Sequence, residues 1–127
     1  MKTPQLVLIA EDEAINRMFL VKIVERAGFS ALEAQTGEEA IRVYERRGEE
    51  VGIILMDLSM PEKDGLEAAR ELRAQGVTTP ILALTAHSSE EDRSLCLEAG
   101  MNEVLIKPVQ IQAVQDALQR YLGSPAS

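Results

Sequence analysis

Residues 53–57, Ile53-Ile54-Leu55-Met56-Asp57, set four apolar side chains in succession and then stop at a carboxylate. A strand with one wet face would alternate apolar and polar residues. An unbroken apolar run this short suits a strand covered on both faces, as in a parallel sheet clothed by helices. Three more runs have the same form: Val7-Leu8-Ile9-Ala10, Ile81-Leu82-Ala83-Leu84 and Val104-Leu105-Ile106. Each of them also gives way to polar chemistry, with Glu11-Asp12-Glu13 after the first, Thr85 after the next and Lys107 after the last. Ser30 to Ala34 reads as a weaker strand, nearer an edge.

Between the runs lie stretches with helical period and helix punctuation. In Glu13 to Ala27 the apolar residues Ile15, Met18, Phe19 and Ile23 recur at three- and four-residue steps, and Gly28 supplies a left-handed stop. Thr36 with Glu39, and Ser88 with Glu91, match the capping box that opens a helix. The stretch Gly65 to Gln75 stops at Gly76, and Leu95 to Ala99 stops at Gly100. Ile111, Val114, Leu118 and Leu122 form one stripe on a last helix. Five βα units in a row imply right-handed crossovers and an α/β fold: a five-stranded parallel sheet, doubly wound and flavodoxin-like, with five helices. The expected strand order is 2-1-3-4-5, whose switch point lies between strands 1 and 3, and ligands bind at the carboxyl ends of the strands there.

The chain has 127 residues, 46% hydrophobic and 27% charged, which is the composition of one soluble globular domain. That domain is placed at residues 5–122, with 123–127 as a flexible tail. Thirteen Lys and Arg against 21 Asp and Glu leave a net charge of −8, which argues against direct nucleic-acid binding through the phosphate backbone. No apolar run reaches the roughly 18 to 20 residues of a membrane span, and the start Met1-Lys2-Thr3-Pro4 has no signal-peptide character, so a cytoplasmic location without membrane insertion is expected. The single Cys96 can form neither an internal disulfide nor a thiolate metal site and reads as an inert, small apolar residue. Met18, Met60 and Met101 read as packing residues, and His87 as a solvent-facing loop residue rather than a phosphate donor or metal ligand.

Because the strands are parallel, Glu11, Asp12, Asp57, Thr85 and Lys107 should meet on one edge of the sheet. Gathered carboxylates repel, and without compensation the pKa of at least one rises. Lys107 offers one positive charge, and a hard divalent ion held by oxygen ligands suits the rest, Mg²⁺ above all. A carboxylate compensated in this way stays ionised and can attack phosphorus, with Mg²⁺, Lys107 and the Thr85 hydroxyl neutralising the phosphoryl oxygens.

At this point the sequence resembles the receiver domain of two-component response regulators and hybrid histidine kinases. The segments that carry the resemblance are residues 7–13, Ile54 to Pro61 with Asp64-Gly65, Ala83-Leu84-Thr85-Ala86, Glu98-Ala99-Gly100-Met101 and Ile106-Lys107-Pro108. The resemblance implies that Asp57 accepts a phosphoryl group from the histidine of a partner, a histidine kinase or histidine phosphotransfer protein. It implies that Asp12, Asp57 and the Ser59 backbone carbonyl ligate Mg²⁺, that Glu11 holds metal-bound water, and that Lys107 and Thr85 contact the phosphoryl oxygens. It also implies a cis peptide before Pro108.

This chain departs from many members at two places. Glu11 stands where Asp is common. Val104 stands three residues before Lys107, where many receivers carry a Tyr or Phe that rotates on activation, so that ring switch cannot operate here. Ser59 and His87 occupy positions that tune dephosphorylation in the family.

The wording around Asn16, Thr85-Ala86-His87 and Asp92 to Met101 looks more like hybrid-kinase receivers than stand-alone regulators. The domain is expected to be a monomer or weak dimer. The alternative function is a small phosphatase with an Asp nucleophile acting on phosphate esters, but Ser59 stands where such an enzyme needs a second Asp as general acid. A pseudo-receiver that only docks partners fits poorly with the full set of Asp12, Asp57, Thr85 and Lys107. Finally, Ala14, Ile15, Met18 and Phe19 crowd more apolar side chains into the start of helix 1 than one core-facing stripe uses. Ile15 or Met18 is therefore expected to be partly exposed, next to the acids, where a helical partner could dock.

Overall fold

The computed structural model describes residues 5–60, 63–86 and 89–123. The elements are β1 (Leu6–Ala10), α1 (Ala14–Arg26), β2 (Ser30–Ala34), α2 (Gly37–Arg47), β3 (Val51–Asp57), α3 (Gly65–Ala74), β4 (Ile81–Thr85), α4 (Glu90–Glu98), β5 (Glu103–Ile106) and α5 (Ile111–Leu122), with one turn of 3₁₀ helix at Gly48–Glu50. All strand pairs are parallel and the order is β2-β1-β3-β4-β5. This is the doubly wound sheet expected from the sequence, with Ser30 to Ala34 on an edge.

The unbroken apolar runs have a direct physical reason. Successive side chains of a strand point to opposite faces, and both faces here are covered. On one face Leu8, Ala10, Ile54, Met56, Ile81 and Ala83 pack with Ala40, Ile41, Ala68, Ala69, Leu72 and Cys96 of α2, α3 and α4. On the other, Val7, Ile9, Ile53, Leu55, Leu82 and Leu84 pack with Leu20, Ile23 and Val24 of α1 and Val114, Ala117 and Leu118 of α5. Ile53, Ile54, Leu55 and Met56 of β3 have no solvent exposure. Full burial of each such side chain is worth roughly 1.5 to 3 kcal/mol, so β3 is the fixed axis of the fold.

Some expectations shift in detail. The last run is not buried on both faces: β5 is an edge strand, Val104 and Leu105 are half-buried and Ile106 is 37% exposed. In α1 the core stripe is Leu20, Ile23 and Val24, whereas Ile15 (79%), Met18 (58%) and Phe19 (43%) are exposed. Met18 is therefore not a packing residue, although Met60 and Met101 are. Ile111 opens α5 half out in solvent while Val114, Leu118 and Leu122 keep to the core. The helix read as opening at Ser88 is capped one residue later, where the Ser89 hydroxyl accepts from the Asp92 N–H. Thr36 caps α2 as expected, accepting from the Glu39 N–H, but the Glu39 carboxylate reaches back to the Gln35 N–H. Gly28, Gly76 and Gly100 all have φ near +90° at helix ends. Pro61, His87, Ser88 and the tail from residue 124 lie outside the described residues.

Candidate phosphoacceptor site

The parallel register assembles the site. Ala10 of β1 pairs with Met56 of β3, so the next residue of each strand line, Glu11 and Asp57, stand side by side. Asp57 pairs with Leu84 of β4, which sets Thr85 one step further along the same edge. Lys107 arrives from the far side, its N–H donating to the Thr85 carbonyl at 2.7 Å, and its peptide bond to Pro108 is cis. Gly65 closes the floor. A Cβ at Gly65 would lie 2.4 Å from the Asp57 carbonyl oxygen, so no larger residue fits without moving the strand end.

Asp57 and Glu11 are 2% and 1% exposed, although both are acids. Lys107 Nζ bridges them, 3.0 Å from Asp57 Oδ2 and 3.1 Å from Glu11 Oε1. The Ser59 N–H donates to Asp57 Oδ1 at 3.1 Å, and the Glu13 N–H donates to Glu11 Oε2 at 3.1 Å. Asp12 is exposed on the rim. Thr85 is buried and Ser59 exposed.

The electrostatics follow from this crowding. Burial pushes the Glu11 carboxyl up to about 7, with the neighbouring Asp57 adding to the rise and the Glu13 N–H and Lys107 opposing it. Burial also works against the Lys107 ammonium, but its bonds to Asp57 and Glu11 outweigh that and raise its pKa above the ordinary lysine value.

The carboxylate oxygens of Glu11, Asp12 and Asp57 lie within 4.8 Å of one another. Two of these acids are buried, and among the described residues Lys107 is the one cation paired with their carboxylates, so the donor set is short of positive charge. All donors are hard oxygens, and the exposed Asp12 leaves a way in. That chemistry fits a hard divalent cation that keeps some of its water.

The architecture and this strand-end cluster point to one family, and the family model described as response regulator receiver domain matches residues 7–119. The chain is a response regulator receiver domain. Among relatives of this receiver domain, the two-component system protein A of Emericella nidulans is 34% identical over 93% of the chain, which spans 17% of that protein's own length. Among solved structures, the receiver domain of sensor histidine kinase PA1611 from Pseudomonas aeruginosa, with a magnesium ion coordinated in its active-site cleft, is 38% identical. It superposes with a TM-score of 0.84, covering 94% of this chain and 98% of that one. The receiver domain of Ssk1 from Saccharomyces cerevisiae, solved with the histidine phosphotransfer protein Ypd1, is 29% identical with a TM-score of 0.83, covering 96% and 92%.

Of the residues singled out in the sequence, Glu11, Asp12, Asp57 and Lys107 come together in this receiver domain, with Ser59 and Thr85 at the same strand ends. Val104 lies three residues from Lys107 and packs half-buried against the α2–α4 side of the core. Among the described residues no helix is long and apolar enough to cross a membrane.

One residue at the site escaped the sequence reading. Arg17 reaches back from α1 to the carbonyls of Glu11 and Asp12. A cation in the opening turns of a helix runs against the helix macrodipole. That mismatch, four residues after the last of three successive acids, is the signal that could have found it.

Proposed function

We propose that this receiver domain takes a phosphoryl group from the phosphohistidine of a kinase or histidine phosphotransfer protein onto Asp57, with Mg²⁺ held by Asp12, Asp57 and the Ser59 carbonyl and with Glu11 holding metal-bound water. The observation that carries the reading is Asp57 itself: buried at the carboxyl end of the central strand, with an ammonium 3.0 Å away and two more carboxylates in reach. In the transfer an Asp57 oxygen attacks phosphorus. The P–O bond forms as the P–N bond breaks, and the electron pair leaves with the donor's imidazole, which takes up a proton. Lys107 is placed to follow the charge onto the phosphoryl oxygens, and Thr85 stands beside it to donate its hydroxyl. Bound Mg²⁺ would neutralise the carboxylates and the equatorial oxygens, the main requirement of phosphoryl transfer.

The hybrid-kinase origin is supported by the likeness to the PA1611 receiver domain and by the small share of its relative that the chain spans. The alternative of a phosphate-ester phosphatase loses ground, because Ser59 rather than an acid stands two residues beyond Asp57.

The proton on Glu11 competes with the metal. Its folded-state pKa of about 7 lies above the ordinary 4.5, so the folded protein binds this proton more tightly than the unfolded chain. The contribution of Glu11 to stability therefore falls as pH rises from about 4.5 through 7, and a cation restores it. Saturating Mg²⁺ is expected to raise the melting temperature more at pH 8 than at pH 6; an equal rise at both values would mean that Glu11 does not face the metal.

The exposed Ile15 and Met18 lie on α1 beside the acids, and the Ssk1 receiver–Ypd1 complex shows that a receiver of this fold docks a histidine phosphotransfer protein. Ile15→Ala is expected to slow transfer from the cognate phosphohistidine protein several-fold while leaving labelling by acetyl phosphate unchanged. Equal slowing with both donors would move the defect from docking to the active site. The function itself is tested by incubating the domain with a phosphorylated histidine phosphotransfer protein and Mg²⁺, where the label should move to Asp57.

A further inference from the structure

The β1–α1 turn carries three acids in a row and opens a helix without the usual aid: the N-cap residue Glu13 makes no side-chain cap bond, and the first turn of α1 has no acidic residue of its own. Besides the Glu13 N–H bond to Glu11 Oε2, what holds the turn is Arg17. Its Nη1 donates to the Glu11 carbonyl at 2.9 Å and, at a longer 3.4 Å, to the Asp12 carbonyl. Its Nε donates to Glu33 Oε1 at 3.0 Å, and Glu33 belongs to β2, paired in register with Ile9 of β1. The Arg17 side chain is 13% exposed and that of Glu33 53%, so the guanidinium is packed against the turn while its ion pair with Glu33 faces solvent.

Peptide planes set where their side chains start. A guanidinium that fixes the carbonyls of residues 11 and 12 turns both carbonyl groups toward α1 and β2 and restricts the turn that carries the Glu11 and Asp12 carboxylates. It also brings a positive charge to a turn whose three acids repel one another. We propose that Arg17, braced by Glu33, is a positioning residue for the metal site: it holds the β1–α1 turn in the geometry in which Asp12 and Glu11 serve Mg²⁺. This inference rests on the proposed Mg²⁺ site.

The test measures the Mg²⁺ concentration at half-saturation, from the rise in melting temperature and from acetyl phosphate labelling, in the wild type, Arg17→Met, Arg17→Lys, Glu33→Gln and Asp12→Asn. Arg17→Met is expected to raise it about tenfold, the lower end of what losing a partner behind a metal ligand costs. Labelling at saturating Mg²⁺ should return to near the wild-type rate, because Asp57 and Lys107 are untouched. Arg17→Lys, with one donor group in place of the fork, should fall between, and Glu33→Gln should shift it by about twofold, as an exposed ion pair is worth little.

A merely structural role would lower the melting temperature without moving half-saturation, and that result in Arg17→Met overturns the proposal. If Arg17→Met does not fold, Arg17→Lys decides: a shift in the same direction supports the proposal and none overturns it. Failure of the Mg²⁺ site itself would look different, since neither the wild type nor any variant would then respond to Mg²⁺, or Asp12→Asn would respond as the wild type does.

Discussion

Asp57→Asn is expected to abolish phosphoryl labelling from both acetyl phosphate and a phosphohistidine donor. The amide has nearly the shape of the carboxylate, so the Ser59 N–H keeps an acceptor and the end of β3 keeps its packing. What disappears is the anionic oxygen that attacks phosphorus. Fold and chemistry should separate cleanly in this variant. With one of two buried acids neutralised, the burden on Glu11 eases, and the variant should melt no lower than the wild type. Labelling at a comparable rate would mean that another group accepts the phosphoryl, and the assignment would fall.

Asp12→Asn is expected to have the second largest effect, on the metal. Asp12 is the exposed acid of the cluster and thus the one that an ion would meet first from solvent. Groups that merely support a metal ligand are typically worth about 10- to 100-fold in affinity, so losing a charged ligand should cost at least as much. Half-saturation by Mg²⁺ should rise by that factor, and labelling at fixed low Mg²⁺ should fall with it. Unchanged affinity would show that the ion sits elsewhere.

The fold was legible because its strongest signal is also its simplest. Three of the four unbroken apolar runs are strands buried on both faces, and burial alone dictates their pattern. The site was legible for a related reason: in a parallel sheet the polar residue that ends each run lies on a shared edge, so topology alone brings Asp57, Glu11, Thr85 and Lys107 to one edge. What was not legible depended on neighbours. Nothing in Val104-Leu105-Ile106 says that its strand is last in the sheet, and an edge strand leaves Ile106 half in solvent. In α1 the apolar residues outnumber one stripe, and only packing on the sheet decides that Leu20, Ile23 and Val24 go inside while Ile15, Met18 and Phe19 stay out. Ser88 and Ser89 are equally good caps by chemistry, and the backbone chose the second. Arg17 was hard to pick out because two of its partners are main-chain carbonyls, which every residue carries, and the third, Glu33, is brought to it only by the pairing of β2 with β1.

In the proposed function this receiver domain accepts a single phosphoryl group on a carboxylate with Mg²⁺ present. Intact mass after incubation with acetyl phosphate and Mg²⁺ tests it most directly. The expected result is an increment of one phosphoryl group that is lost in Asp57→Asn, depends on Mg²⁺ and decays on standing, as an acyl phosphate hydrolyses. A folded protein whose melting temperature responds to Mg²⁺, yet whose mass never changes with acetyl phosphate or a phosphohistidine donor, would contradict it.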